Sequence, residues 1–81
     1  MRAILSFLAT TIASWDTDYP GNDLFQFGIK GDMASLISQC CGKCLATSGC
    51  AGYAIKNDVC YIKSVMVGRR SVNGVTTARR Q

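Results

Sequence analysis

Cys40, Cys41, Cys44, Cys50 and Cys60 carry the most reactive side chains of this 81-residue chain, and they are odd in number. Thiols so close together could do three kinds of chemistry. Cys41-Gly42-Lys43-Cys44 has the C-x-x-C spacing of a disulfide-exchange motif, and Lys43 could lower a neighbouring thiol pKa. No βαβ pattern surrounds it, however, and that is the setting in which such a motif works. A zinc site needs four ligands, and the chain has neither a second C-x-x-C nor any histidine. The third use is structural, as disulfide staples. With no His or Glu and only five Asp, no set of residues for acid/base catalysis presents itself. The residues therefore point to a protein that is not an enzyme and has no cofactor or metal.

Length favours the staples. A single domain of this size buries too little apolar surface to be held by packing alone. Cysteine at this density belongs to an oxidising compartment, which predicts a secreted protein, extracellular or in a cell wall. The N-terminus agrees. Met1-Arg2 is a positive start, residues 3–13 are uncharged and largely apolar, and Thr11-Ile12-Ala13 resembles a small-residue cleavage site. Residues 1–14 thus read as a signal-peptide-like segment, with a first strand as the other reading, because residues 9–15 also have β character. The run is too short for a transmembrane span. The domain proper is expected over 15–81.

Several elements must position the cysteines. Residues 16–23 are dense in turn formers, with a tight turn expected at 19–22 around Pro20 and Gly21. Leu24, Phe25 and Phe27 form a short apolar stretch. Leu36, Ile37, Cys40, Cys41, Cys44 and Leu45 then fall on one helical stripe. Asp32 or Ser35 is placed to cap its start and Gly49 to end it, while Gly42 weakens its interior by about 1 kcal/mol. Residues 51–56 and 59–63 read as a hairpin turning at Asn57-Asp58. Alternation puts Cys60 and Ile62 on one face, with Tyr61 and Lys63 on the other. A closing strand is expected over 72–78 with a turn at Asn73-Gly74, followed by a loose tail.

Cys40 and Cys44 share a helix face, Cys50 follows closely enough to reach Cys44, and Cys60 lies mid-hairpin within reach of Cys40. Five choices of odd cysteine and three pairings of the rest still leave fifteen schemes, so spacing alone does not select one.

Four strings taken together resemble a PAN/Apple domain: Asp16-Thr17-Asp18-Tyr19-Pro20-Gly21-Asn22-Asp23-Leu24, Gln39-Cys40-Cys41-Gly42-Lys43-Cys44, Ser48-Gly49-Cys50-Ala51-Gly52-Tyr53 and Val59-Cys60-Tyr61-Ile62-Lys63-Ser64. They are most similar to the modules of secreted oomycete cellulose-binding elicitor lectins. The resemblance spans about residues 15–81. It implies an α+β fold, a small disulfide-stapled domain with one helix packed on a curved antiparallel sheet. It also implies the bridges Cys40–Cys60 and Cys44–Cys50, leaving Cys41 as a thiol outside both. Two departures stand out. No cysteine precedes Cys40, where six-cysteine members carry one, and Tyr61 stands where these modules often have tryptophan.

By the same resemblance the expected function is that of a secreted, non-catalytic, lectin-like carbohydrate-binding module for cell-wall polysaccharide such as cellulose or another glycan. Sugar faces stack on aromatic rings and hydroxyls need a few polar groups. The candidate contacts are Trp15, Tyr19, Tyr53 and Tyr61, with Asn22 and Asp23 as hydrogen-bonding partners. Tyr53 alternates with Ile55 and also fits the core, and Asp23 also fits a role within its own turn. The competing reading is a protein–protein adhesion module. In it Lys43, Lys63, Arg69-Arg70 and Arg79-Arg80, from a net charge of +4, would meet an acidic extracellular partner. Nucleic acid is not an expected partner of a secreted chain.

Overall fold

The structure, a computed structural model, describes residues 13–80. Most of the signal-like segment lies outside the described residues. The elements in chain order are β1 (Ser14–Asp18), β2 (Asp23–Gly28), α1 (Met33–Leu45), β3 (Gly52–Lys56), β4 (Val59–Lys63) and β5 (Arg70–Arg79). All five strands form one antiparallel sheet in the order β1-β5-β3-β4-β2, with α1 packed on β3 and β4. The architecture is α+β, the fold class expected.

Helix α1 starts where Asp32 accepts from the Ser35 N–H at 2.9 Å, satisfying a donor that the first turn leaves open. Its buried stripe is Leu36, Cys40, Cys41 and Cys44. That stripe meets Tyr53 and Ile55 of β3 and Cys60 and Ile62 of β4, and Ile29, Cys50 and Ala78 close the core around them. Disulfides join Cys40 to Cys60 and Cys44 to Cys50, with Cα atoms 5.9 and 5.4 Å apart. Cys41 lies outside both bridges, with its side chain buried. The β3–β4 hairpin turns at Asn57 and Asp58, both with positive φ (50° and 60°), as a two-residue turn of this twist requires.

Four local expectations are corrected. Helix α1 ends at Ala46, and Gly49 (φ 84°) instead turns the chain into Cys50. The tight turn expected at 19–22 is a bend at Gly21 rather than a hydrogen-bonded turn. These residues link β1 and β2 at opposite edges of the sheet, so this short segment crosses the face that α1 does not cover. Asn73-Gly74 is no turn either. β5 continues through it as one strand, and a bulge there sets Asp16 alone against residues 72–75.

The fourth correction concerns the tail. Arg79 lies over the Tyr19 ring, 5.1 Å from its centroid, and donates to the Met66 carbonyl. Arg80 donates to the carbonyls of Cys44, Leu45, Thr47 and Cys50. The end of α1 leaves carbonyls without helical partners, and a guanidinium fork satisfies several at once. We expect Arg80→Ala to destabilise the oxidised domain by about 1–2 kcal/mol, with Arg80→Lys recovering only part of the loss. Urea unfolding midpoints read this directly, and an unchanged midpoint for Arg80→Ala would show that water replaces the cap.

Candidate cleft on the open face of the sheet

Strand alternation divides the sheet into two faces. Tyr53, Ile55, Cys60 and Ile62 point towards α1, which leaves Gly52, Ala54, Lys56, Val59, Tyr61 and Lys63 on the other side. The 19–22 link crosses this second face, and a cleft of about 210 Å³ opens between link and sheet. Its lining is Asp18, Pro20, Gly21 and Asp23 from the link and its ends, with Ala54, Lys56, Tyr61, Lys63 and Val75 from the sheet.

Lys63 is the anchor of the cleft. It is only 4% exposed, and a buried ammonium needs compensating partners. The β2–β4 register sets Asp23 directly opposite, and the two form an ion pair. The Lys63 Nζ also donates to the Gly21 carbonyl at 3.1 Å and lies 5.7 Å from the Tyr61 ring centroid. The Asn22 carbonyl accepts from the backbone and hydroxyl of Ser64, so the link is tied down at two successive residues. Gly21 (φ 81°) and Asn22 (φ 60°) take the left-handed conformations that let it turn onto β2. Asp18 accepts from the Tyr19 N–H at 2.8 Å, which fixes its carboxylate at the cleft wall.

Of the six residues expected to contact a ligand, Asp23 and Tyr61 meet in this cleft. Asn22 is exposed on the link beside it, while the Tyr19 ring is buried beneath Arg79. The other two lie elsewhere. Tyr53 is 1% exposed in the core under α1, where burial and then the neighbouring Cys41 push its phenol pKa up. Trp15 is 59% exposed on edge strand β1. Its register with Thr76, itself opposite Ile55, places it on the helix-bearing face, away from the cleft.

Asp18, Lys56 and Val75 were missed as site residues. Lys56 was legible, because it follows Ala54 by one alternation and so shares a face with Tyr61. Asp18 and Val75 were not, because their place depends on the link crossing the sheet and on the β5 bulge.

A second, shallower groove runs along α1 beside β2, lined by Phe27, Ser38, Gln39, Gly42, Lys43 and Ala46. Phe25 packs on Phe27 with centroids 6.1 Å apart and lies 5.9 Å beneath the Lys43 ammonium. Among the described residues, no three His, Cys, Asp or Glu side chains converge to hold a metal, and no helix is long and apolar enough to cross a membrane. Comparison of the chain with protein-family models, curated proteins and solved structures finds no match.

Proposed function

We propose that this chain is a secreted, non-catalytic binding module of the PAN/Apple kind, whose ligand is a carbohydrate of the cell-wall polysaccharide class. The observation that carries this reading is the cleft, where one aromatic ring, Tyr61, stands beside Asp18, Asp23, Lys56 and Lys63. A pyranose has an apolar face that stacks on an aromatic ring, and hydroxyls that both donate and accept. Carboxylates accept from such hydroxyls and the exposed Lys56 ammonium donates to them, while the buried Lys63 holds Asp23 and the link in place. The two acids and two bases balance in charge, which suits an uncharged sugar. One helix bridged by disulfide to an antiparallel sheet is the architecture the PAN/Apple reading calls for.

The competing reading, an acidic protein partner, has lost half of its basic residues to internal roles. Lys63 is paired with Asp23, Arg79 covers Tyr19 and Arg80 caps α1, leaving Lys43, Arg69 and Arg70. The sugar reading is therefore preferred.

The test is retention on cellulose and on a glycan array. Tyr61→Ala should weaken binding about tenfold through lost stacking, and Trp15→Ala, on the other face, should leave it unchanged. Retention should persist at high ionic strength. Undiminished binding by Tyr61→Ala would remove the cleft from the reading, and binding abolished by salt would favour the acidic partner.

A further inference from the structure

We propose that Asn73-Gly74 is a site of spontaneous deamidation, and that Asp16 sets its rate by holding the attacking nitrogen. The reaction needs no ligand and is independent of the cleft. Asn73 and Gly74 are both exposed, in the β5 bulge opposite Asp16.

In this reaction the backbone nitrogen of Gly74 attacks the side-chain carboxamide carbon of Asn73. The nitrogen gives up its proton, a C–N bond forms, and the amide leaves as ammonia. Water then opens the five-membered succinimide at either carbonyl, producing aspartate or isoaspartate at position 73. Glycine is the most permissive residue after asparagine, because no Cβ hinders ring closure.

Here the attacking nitrogen is engaged. The Gly74 N–H donates to Asp16 Oδ1 at 2.9 Å. Attack requires that this hydrogen bond break and that negative charge develop on nitrogen beside a carboxylate, which like-charge repulsion opposes. The backbone on both sides of the contact is unusual. Gly74 has φ 85°, and Asp16, which is not glycine, has φ 52°. A left-handed conformation is costly for an L-residue and persists where surrounding contacts hold it. The Asp16–Gly74 hydrogen bond is such a contact, so latch and bulge stand or fall together.

The product would act on β1. Either isomer places a carboxylate at position 73 in the bulge that already holds Asp16, and isoaspartate also adds a backbone atom there. Among the described residues, strand β1 is an edge strand hydrogen-bonded only to β5, so it is the element released first.

The experiment incubates the oxidised protein at neutral pH and physiological temperature. Conversion at Asn73 is followed by peptide mapping, and hydrogen exchange of Thr17 reports on β1. Asp16→Ala should convert about threefold to tenfold faster than wild type, the change that one net hydrogen bond corresponds to. Asp16→Asn, which keeps an acceptor and removes the charge, should fall between them, and Asn73→Ser should show no conversion at this position. Converted wild-type protein should exchange Thr17 faster than unconverted protein. Asp16→Ala that keeps both disulfides and still converts at the wild-type rate would overturn the latch. Should Asp16→Ala not fold, wild type is compared with its own reduced, unfolded chain. Slower conversion in the native state supports the latch, and equal rates overturn it. No conversion at Asn73 even in the unfolded chain overturns the site itself.

Discussion

Replacing Cys40 and Cys60 together by alanine should cost about 3 kcal/mol and leave much of the chain unfolded at physiological temperature. The bridge closes a loop across 20 residues, and on the chain-entropy model a loop of that length restricts the unfolded chain by about that amount. Its place in the fold adds to the effect. Both cysteines are fully buried, Cys40 midway along α1 and Cys60 on a central strand, so the bridge joins the helix to the middle of the sheet. A domain of this size has a net stability near the low end of about 5–15 kcal/mol, so the loss is a large fraction of the whole. The Cys44–Cys50 bridge closes only 6 residues, and removing it should cost about 2 kcal/mol. Urea unfolding of the wild type and the two double variants ranks them. If the Cys40/Cys60 variant is no less stable than the Cys44/Cys50 variant, packing rather than the bridge fixes the helix to the sheet.

Gly52→Ala should cost about 3 kcal/mol, by overpacking rather than by loss of a contact. A Cβ at this position would lie 2.5 Å from the Ala78 carbonyl oxygen, 3.0 Å from the Met66 sulfur and 3.1 Å from the Arg79 Cα. Two of these three atoms are backbone of the adjacent strand and cannot turn aside, so β3 and β5 must separate. Gly42 is the control. It lies inside α1 with nothing within 4 Å of where a methyl would sit, so Gly42→Ala should stabilise the domain by up to about 1 kcal/mol through helix propensity. Opposite signs for the two substitutions are expected in thermal melts. A neutral Gly52→Ala would mean that the strands part at little cost.

The elements most legible in the sequence were those made by neighbours in the chain. The stripe through Leu36, Cys40 and Cys44 marks α1, because residues four apart share a helix face. Asn57-Asp58 marks the β3–β4 hairpin, because few residues take positive φ twice in succession. Alternation along β4 also separated Tyr61 and Lys63 from Cys60 and Ile62, and with them the two faces of the sheet. The readings that missed were those in which a correct local signal served a distant partner. Pro20 and Gly21 do bend the chain, but towards the far edge of the sheet. Asn73-Gly74 does need a left-handed residue, but in a bulge answered by Asp16 rather than in a turn. Arg79 and Arg80 looked like a solvated tail because Tyr19 and the end of α1 are remote in sequence.

The candidate site divides in the same way. Its aromatic residue Tyr61 and its acid Asp23 were visible as residue types, and alternation with Ile55 already pointed Tyr53 to the core, whereas Trp15 could be assigned to the other face only once the strands were ordered. The sequence by itself determined one stapled helix, one hairpin and the two faces of its strands, since period and turn chemistry act within a few residues. Only the tertiary structure decided the strand order, the link across the open face and the burial of Lys63 against Asp23. Those depend on contacts between residues some forty positions apart, such as Gly21 with Lys63, which no local pattern encodes.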